Sequence, residues 1–299
     1  MVKMKGVVVP TITPFTADDQ IDVDAIYRLV NYLVDNGVDS IYPNGTTGEM
    51  LKLSCEERKL VAKASVDAAA GRIPVFVQVG ASTTKETLDL AEHALSIGAA
   101  GIGVVTPQFF GVNHREMVNY YTTVANALPE DFAVYLYNIP QCAGNDITPE
   151  VIEDVLDATK NVVGIKYSWT DFIRFNKYLQ CGNGTFDAIV GPDRLFLPGL
   201  AIGCAGVVSG CSQCYPAPFV DVYKHFMNGD IKAAQKAQVQ ATELCEIVKA
   251  GANMGYFKAA LEYNGLGVMH MRAPALDITA EEKKNLFKAL DDYHAKYGK

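Results

Sequence analysis

Short apolar, β-branched runs recur along the chain, each closing on Gly, Pro, Asn or Ser and each followed by a stretch with helical spacing. The runs predict strands at Val7–Thr13, Ser40–Pro43, Pro74–Gly80, Gly101–Thr106, Ala133–Asn138, Val162–Ser168, Asp187–Gly191 and Ala205–Ser209. Between them lie amphipathic segments at Asp24–Asp35, Cys55–Ala70, Thr84–Ile97, Arg115–Ala127, Pro149–Ala158 and Asp171–Leu179. In the first of these Ile26, Leu29, Val30 and Leu33 share one face. Eight buried strands alternating with helices predict an α/β fold of the parallel (β/α)8 TIM-barrel type over residues 1–225. An open doubly wound sheet is the rival, but Pro10-Thr11-Ile12-Thr13-Pro14 stands where its glycine-rich turn would follow the first strand. Beyond residue 225 only helical patterns remain, at Ile231–Ala250, Gly255–Tyr263 and Ala280–Tyr297, which predicts a small C-terminal helical domain over 226–299. Thr279 is the expected N-cap of the last helix, with Glu281 and Glu282 in its first turn.

Composition narrows the class of ligand. A formal net charge of −8 over 299 residues, with no block of lysines and arginines, argues against nucleic acid and anionic membranes and favours a small molecule. No apolar run is long enough to span a bilayer, and Met1–Lys5 leads straight into strand-like sequence, so a cytoplasmic protein is expected. The seven cysteines are odd in number, scattered and mostly within apolar segments, as reduced thiols are. Cys211-x-x-Cys214 has neither a second pair nor a nearby histidine, and no metal site is expected there.

In a barrel the chemistry gathers where the strands end, because all the C-terminal tips open on one mouth. Lys166 closes the apolar run Val162-Val163-Gly164-Ile165 and is followed by Tyr167 and Ser168. Burial disfavours an ammonium and favours a nucleophilic amine, so Lys166 is a candidate Schiff-base former; a lysine snorkelling to solvent is the alternative. The Gly45-Thr46-Thr47-Gly48 loop offers two hydroxyls and accessible backbone N–H groups, which suit one small carboxylate. Such a clamp beside an amine fits a 2-oxo acid, with C1 in the loop and C2 attacked as an imine. Tyr137 ends the preceding strand and can relay the protons that imine formation needs, while Tyr135 is expected on the opposite face.

These residues resemble a known family. Gly45-Thr46-Thr47-Gly48-Glu49, Tyr137-Asn138-Ile139-Pro140 and Gly164-Ile165-Lys166 are similar, at these spacings, to the dihydrodipicolinate synthase/N-acetylneuraminate lyase family of class I aldolases. The likeness covers nearly the whole chain, from Pro10–Phe15 to Arg272-Ala273-Pro274. It implies Lys166 as the Schiff-base lysine, Tyr137 as general acid/base, Thr46 and Thr47 as the pyruvate-carboxylate clamp, and Val208 as a backbone contact. It also implies a homotetramer built as a dimer of dimers, and no cofactor beyond the covalent imine of a 2-oxo acid at Lys166.

Departures from the family pattern bear on the substrate. Family members that make dihydrodipicolinate carry an arginine two residues after the Tyr-Asn-x-Pro proline, where Cys142 stands here, and borrow a tyrosine from a neighbouring subunit, where Phe109 stands here. Lys166-Tyr167-Ser168-Trp169 looks like the lyase pattern, in which a hydroxyl two residues after the lysine approaches the C4 hydroxyl of a sugar acid. Asp193 matches an acidic residue that holds a polyol tail, and its neighbour Arg194 favours a second anionic group unless a local ion pair occupies it. The expected function is reversible cleavage of a 2-oxo-3-deoxy sugar acid to pyruvate and an aldehyde. The alternatives are the synthase, a 2-keto-3-deoxy acid dehydratase, and, from other classes, a phosphate-binding barrel isomerase or a non-catalytic binding protein.

Overall fold

The computed structural model describes residues 1–298. Eight parallel strands are present: β1 (Gly6–Val9), β2 (Ser40–Ile41), β3 (Phe76–Gln78), β4 (Gly101–Val105), β5 (Ala133–Asn138), β6 (Val162–Tyr167), β7 (Asp187–Val190) and β8 (Gly206–Val208). They pair in the order β2-β1-β8-β7-β6-β5-β4-β3. A parallel bridge between Ile41 and Val75 joins the two ends of that order, which makes the sheet a (β/α)8 barrel.

Each strand lies where an apolar run predicts it, and the ladder is shorter than the run at several ends. β1 stops at Val9 because Pro10 has no N–H to continue the hydrogen bonding. Beyond it the chain is held by side chains instead: the Ile12 amide donates to Gln213 Oε1 at 3.0 Å, and Thr13 Oγ1 donates to the Gly48 carbonyl at 2.7 Å. Several short helices carry too few periodic residues to be legible in sequence, among them Pro140–Ala143 and Phe196–Ala201.

The barrel interior is filled in two layers. The lower one contains Met4, Val8, Tyr42, Phe76, Ala133, Tyr135, Ile189 and Val208, and the upper one Met50, Val105, Tyr137, Ile139 and Ala143. Tyr135 is thus on the same side of β5 as Tyr137, which corrects the expectation that it points the other way. Residues two apart share a face of a strand, so the two tyrosines differ in depth and not in side. Tyr135 plugs the bottom, where its ring meets Phe76 edge-on at 5.8 Å and its hydroxyl accepts from the Met4 amide at 2.8 Å.

Helices beyond the barrel run over Ile231–Ile247, Met254–Tyr263 and Ala280–Tyr297. The last is opened by a reciprocal capping box between Thr279 and Glu282. Among the described residues no helix is long and apolar enough to cross a membrane.

Candidate active site

Register places the two central groups side by side. Tyr137 of β5 and Lys166 of β6 are direct partners in the ladder. Both side chains rise into the barrel mouth, and Lys166 is only 4% exposed. Its Nζ lies 3.9 Å from the centroid of the Tyr137 ring and 5.0 Å from that of Tyr42, so two aromatic faces stand where a carboxylate would be in an ordinary buried ion pair. Among the described residues no acidic group lies within ion-pair distance of it. Tyr42 comes this close because β4 has a glycine opposite: a Cβ at Gly103 would sit 1.8 Å from the Tyr42 hydroxyl. That hydroxyl is buried without a hydrogen-bond partner, and burial pushes its pKa well up.

The loop after β2 brings the third group. It is a tight turn entered and left through left-handed backbone at Asn44 and Glu49, with the Glu49 amide donating to the Thr46 carbonyl at 3.0 Å. Asn44 anchors it by donating to the Arg58 carbonyl at 2.7 Å. The Thr46 hydroxyl is thereby set 3.0 Å from the Tyr137 phenol oxygen. Thr47 turns toward Gly210, beyond the end of β8. Val208 sits inside the barrel on β8, paired with Val8.

Glu49 has a role that sequence reasoning missed. Its carboxylate receives Lys258 Nζ at 2.7 Å on one oxygen and Lys52 Nζ at 2.6 Å on the other. Lys258 comes from the helix Met254–Tyr263, is 1% exposed, and also donates to the His270 carbonyl at 2.8 Å. Burial lowers its pKa, with Glu49 acting in the opposite sense. A lysine inside the apolar run Phe257-Lys258-Ala259-Ala260 is the same signal that singles out Lys166.

The other predicted substrate contacts divide into two groups. Cys142 is exposed and lines a cavity of about 770 Å³ that also reaches Thr46, Met50, Val105 and Ile139. Ser168, Asp193 and Arg194 do not line this cavity. Ser168 is half-buried with its hydroxyl against the Gly191 α-carbon. The Asp193 carboxylate turns inward, accepting from Ser209 Oγ and from the Cys211 amide, and it clusters with the thiols of Cys211 and Cys245. Burial raises its pKa against those hydrogen bonds. Arg194 is paired with Glu246 of the C-terminal helices at 2.7 Å, a partner distant in sequence and not a local one.

Known proteins resemble this chain over nearly its whole length. The sequence pattern of the dihydrodipicolinate synthetase family matches residues 3–293. The chain belongs to this family. An uncharacterised DapA-like lyase of Halobacterium salinarum is 34% identical over 97% of this chain and 94% of that protein. The putative 2-dehydro-3-deoxy-D-gluconate aldolase YagE of Escherichia coli is 31% identical over 77% of this chain and 76% of its own length. Its crystal structure in complex with pyruvate superposes with a TM-score of 0.91, at 28% identity, over 98% of this chain and 99% of that one. The crystal structure of dihydrodipicolinate synthase from Aquifex aeolicus gives the same TM-score of 0.91 at 29% identity, covering 97% and 98% of the two chains. The family member described here is a carbon–carbon lyase of the aldolase and synthase kind.

Proposed function

We propose that this family member cleaves a 2-oxo-3-deoxy sugar acid, reversibly, to pyruvate and an aldehyde through an imine at Lys166. The carrying observation is the unpaired, buried Lys166 amine set against Tyr137, whose phenol is in turn held by Thr46. A lysine kept for structure would have an acidic partner; one kept for attack needs a free lone pair and a proton relay.

In the proposed sequence the amine adds to the C2 ketone and water leaves, giving an iminium whose carboxylate rests on the Thr46-Thr47 loop. The C4 hydroxyl gives up its proton, the C3–C4 bond breaks, and its electron pair enters the iminium to form an enamine as the aldehyde departs. Protonation at C3 and hydrolysis release pyruvate and restore the amine. Tyr137 carries the protons, with Thr46 as its hydrogen-bond partner. Ser168 serves the C4 hydroxyl, Asp193 the loop beside it, and Gly45 the backbone of the carboxylate nest.

The named 4-hydroxy-tetrahydrodipicolinate synthases among the relatives keep synthase activity as the second reading. Cys142 counts against it, because a thiol at the cavity wall offers no cation to a semialdehyde carboxylate. A homotetramer is proposed as well, supported by Phe109 and Phe110, which are 90% and 76% exposed and lie edge to face at 5.1 Å. The test of the reaction is borohydride trapping with pyruvate followed by a screen of 2-oxo-3-deoxy acids for pyruvate release. A mass adduct on Lys166 and pyruvate from at least one sugar acid are expected; absence of the adduct rules the imine out.

A further inference from the structure

The ends of β7 and β8 meet the C-terminal helices through a cluster of side chains whose thiols have no part in the cleavage chemistry. Asp193 follows β7, Cys211 opens the short turn Cys211–Gln213 after β8, and Cys245 lies in the helix Ile231–Ile247. One Asp193 carboxylate oxygen and the two sulfurs all lie within 4.8 Å of one another. Cys211 and Cys245 are both 0% exposed, and Cys214, on the same turn as Cys211, is 2% exposed.

Buried thiols by themselves are ordinary core packing. The carboxylate among them is not. Its hydrogen bonds come from neutral donors, Ser209 Oγ and the Cys211 amide, the latter at 3.2 Å. Among the described residues it belongs to no ion pair, since the adjacent Arg194 is taken by Glu246. A carboxylate removed from water is costly unless a cation meets it, and the groups around this one are themselves cation ligands. Two sulfurs and a carboxylate oxygen, delivered by three separate elements, form a donor set of the zinc type. Zn–S bonds of about 2.3 Å put tetrahedral ligands roughly 3.8 Å apart, so atoms already within 4.8 Å need to close by only about 1 Å.

The geometry points to a site for a divalent cation of the zinc class, held by Asp193, Cys211 and Cys245, that staples the C-terminal helices to the β7 and β8 ends of the barrel. Cys214 stands next for the fourth position of a tetrahedral ion. Burial raises the pKa of the Cys211 and Cys245 thiols, which keep their protons until an ion displaces them to solvent and takes the sulfur electron pairs. Residue order alone argues against a metal at Cys211-x-x-Cys214, because no second pair or histidine is near it in the chain; the fold supplies Asp193 and Cys245 from either side. The site is independent of the reaction at Lys166.

The test produces the full chain in zinc-depleted medium supplemented with cobalt and reads the purified, reduced protein by elemental analysis and optical absorption. Near-stoichiometric cobalt is expected, with the near-ultraviolet band of thiolate-to-cobalt charge transfer and visible bands of tetrahedral intensity. Cys245→Ala should lose the band and the bound cobalt by roughly tenfold or more with its far-ultraviolet circular dichroism unchanged. Should that variant not accumulate, Cys211→Ser is read in the same way. A chain free of cobalt and zinc overturns the inference. So does metal without the thiolate band, as ions on the surface pairs His114–Asp154 and His270–Asp277 would give. A band unmoved in Cys245→Ala overturns it too, as does the loss of two of the seven free thiols on titration of the unfolded chain, which would make Cys211 and Cys245 a disulfide.

Discussion

The phenol oxygen of Tyr137 and the hydroxyl of Thr46 lie 3.0 Å apart across the barrel mouth, one from β5 and the other from the loop after β2. In the reaction proposed above, this contact sets the direction of the phenol beside Lys166, whose Nζ is 3.9 Å from the Tyr137 ring centroid. Tyr137→Phe is expected to lower kcat by roughly 100-fold or more, the usual scale of a lost general acid/base. Imine trapping with pyruvate should persist in the variant, more slowly. Steady-state kinetics beside mass spectrometry of the reduced adduct would check both halves.

Tyr42 and Gly103 make a packing prediction with opposite signs for the two partners. Gly103→Ala would force a methyl to within 1.8 Å of the Tyr42 hydroxyl, and overpacking of that kind costs about 1–3 kcal/mol. Tyr42→Phe removes a buried hydroxyl that has no partner, so stability should stay level or rise. Urea unfolding of both variants measures the contrast, and marked destabilisation by Tyr42→Phe would show that the hydroxyl is satisfied in solution.

The Glu49–Lys258 pair ties the C-terminal helices to the Thr46 turn. Breaking a buried pair from one side costs about 3–5 kcal/mol, and Lys52 on the second Glu49 oxygen should keep the loss for Lys258→Met near the lower end. The KM for pyruvate is expected to rise in the same variant as the turn loosens. Adding Glu49→Gln should recover part of the stability, since it removes the stranded charge. If the double variant is less stable than the single one, the ion-pair account of this contact fails.

Arg272 and Glu57 govern part of the acid limb of stability. The guanidinium bonds both Glu57 oxygens, at 2.8 and 3.0 Å, and this holds the Glu57 pKa below its usual 4.5. A carboxyl whose folded pKa is depressed contributes stability that is complete above the unfolded value and is lost as pH falls through the folded one. Arg272→Ala is therefore expected to lower Tm at pH 7 and to flatten its decline below about pH 4.5. Melting curves between pH 3 and 7 would show the two profiles converging at the acid end.

Phe109 and Phe110 stand out in water on the segment after β4, with Phe109 in left-handed backbone and its amide donating to the Ala143 carbonyl at 3.3 Å. If copies of the chain cover this pair, Phe109→Asp should shift sedimentation from a tetramer to a smaller species. An unchanged tetramer would place the contact elsewhere on the surface.

Strand positions, helix positions and the polar strand ends were legible from residue order, because period and turn chemistry act over a few neighbours. The Thr279 cap and the strand-terminal Lys166 are of this local kind, and both stand as expected. The side of Tyr135 is of this local kind too, since a two-residue period places it with Tyr137 inside the barrel. What the order of residues could not decide is which charge meets which. Arg194 finds Glu246 on the C-terminal helices, and Asp193 turns inward to Ser209 and Cys211. Lys258 finds Glu49 across 209 residues, and Thr46 finds Tyr137 across 91. By itself, then, the sequence determined a barrel whose mouth holds Lys166, Tyr137 and the Thr46-Thr47 loop. Only the tertiary structure decided which cations near that mouth were already taken, because ion pairing depends on distances set when the barrel closes and the last helices dock on it.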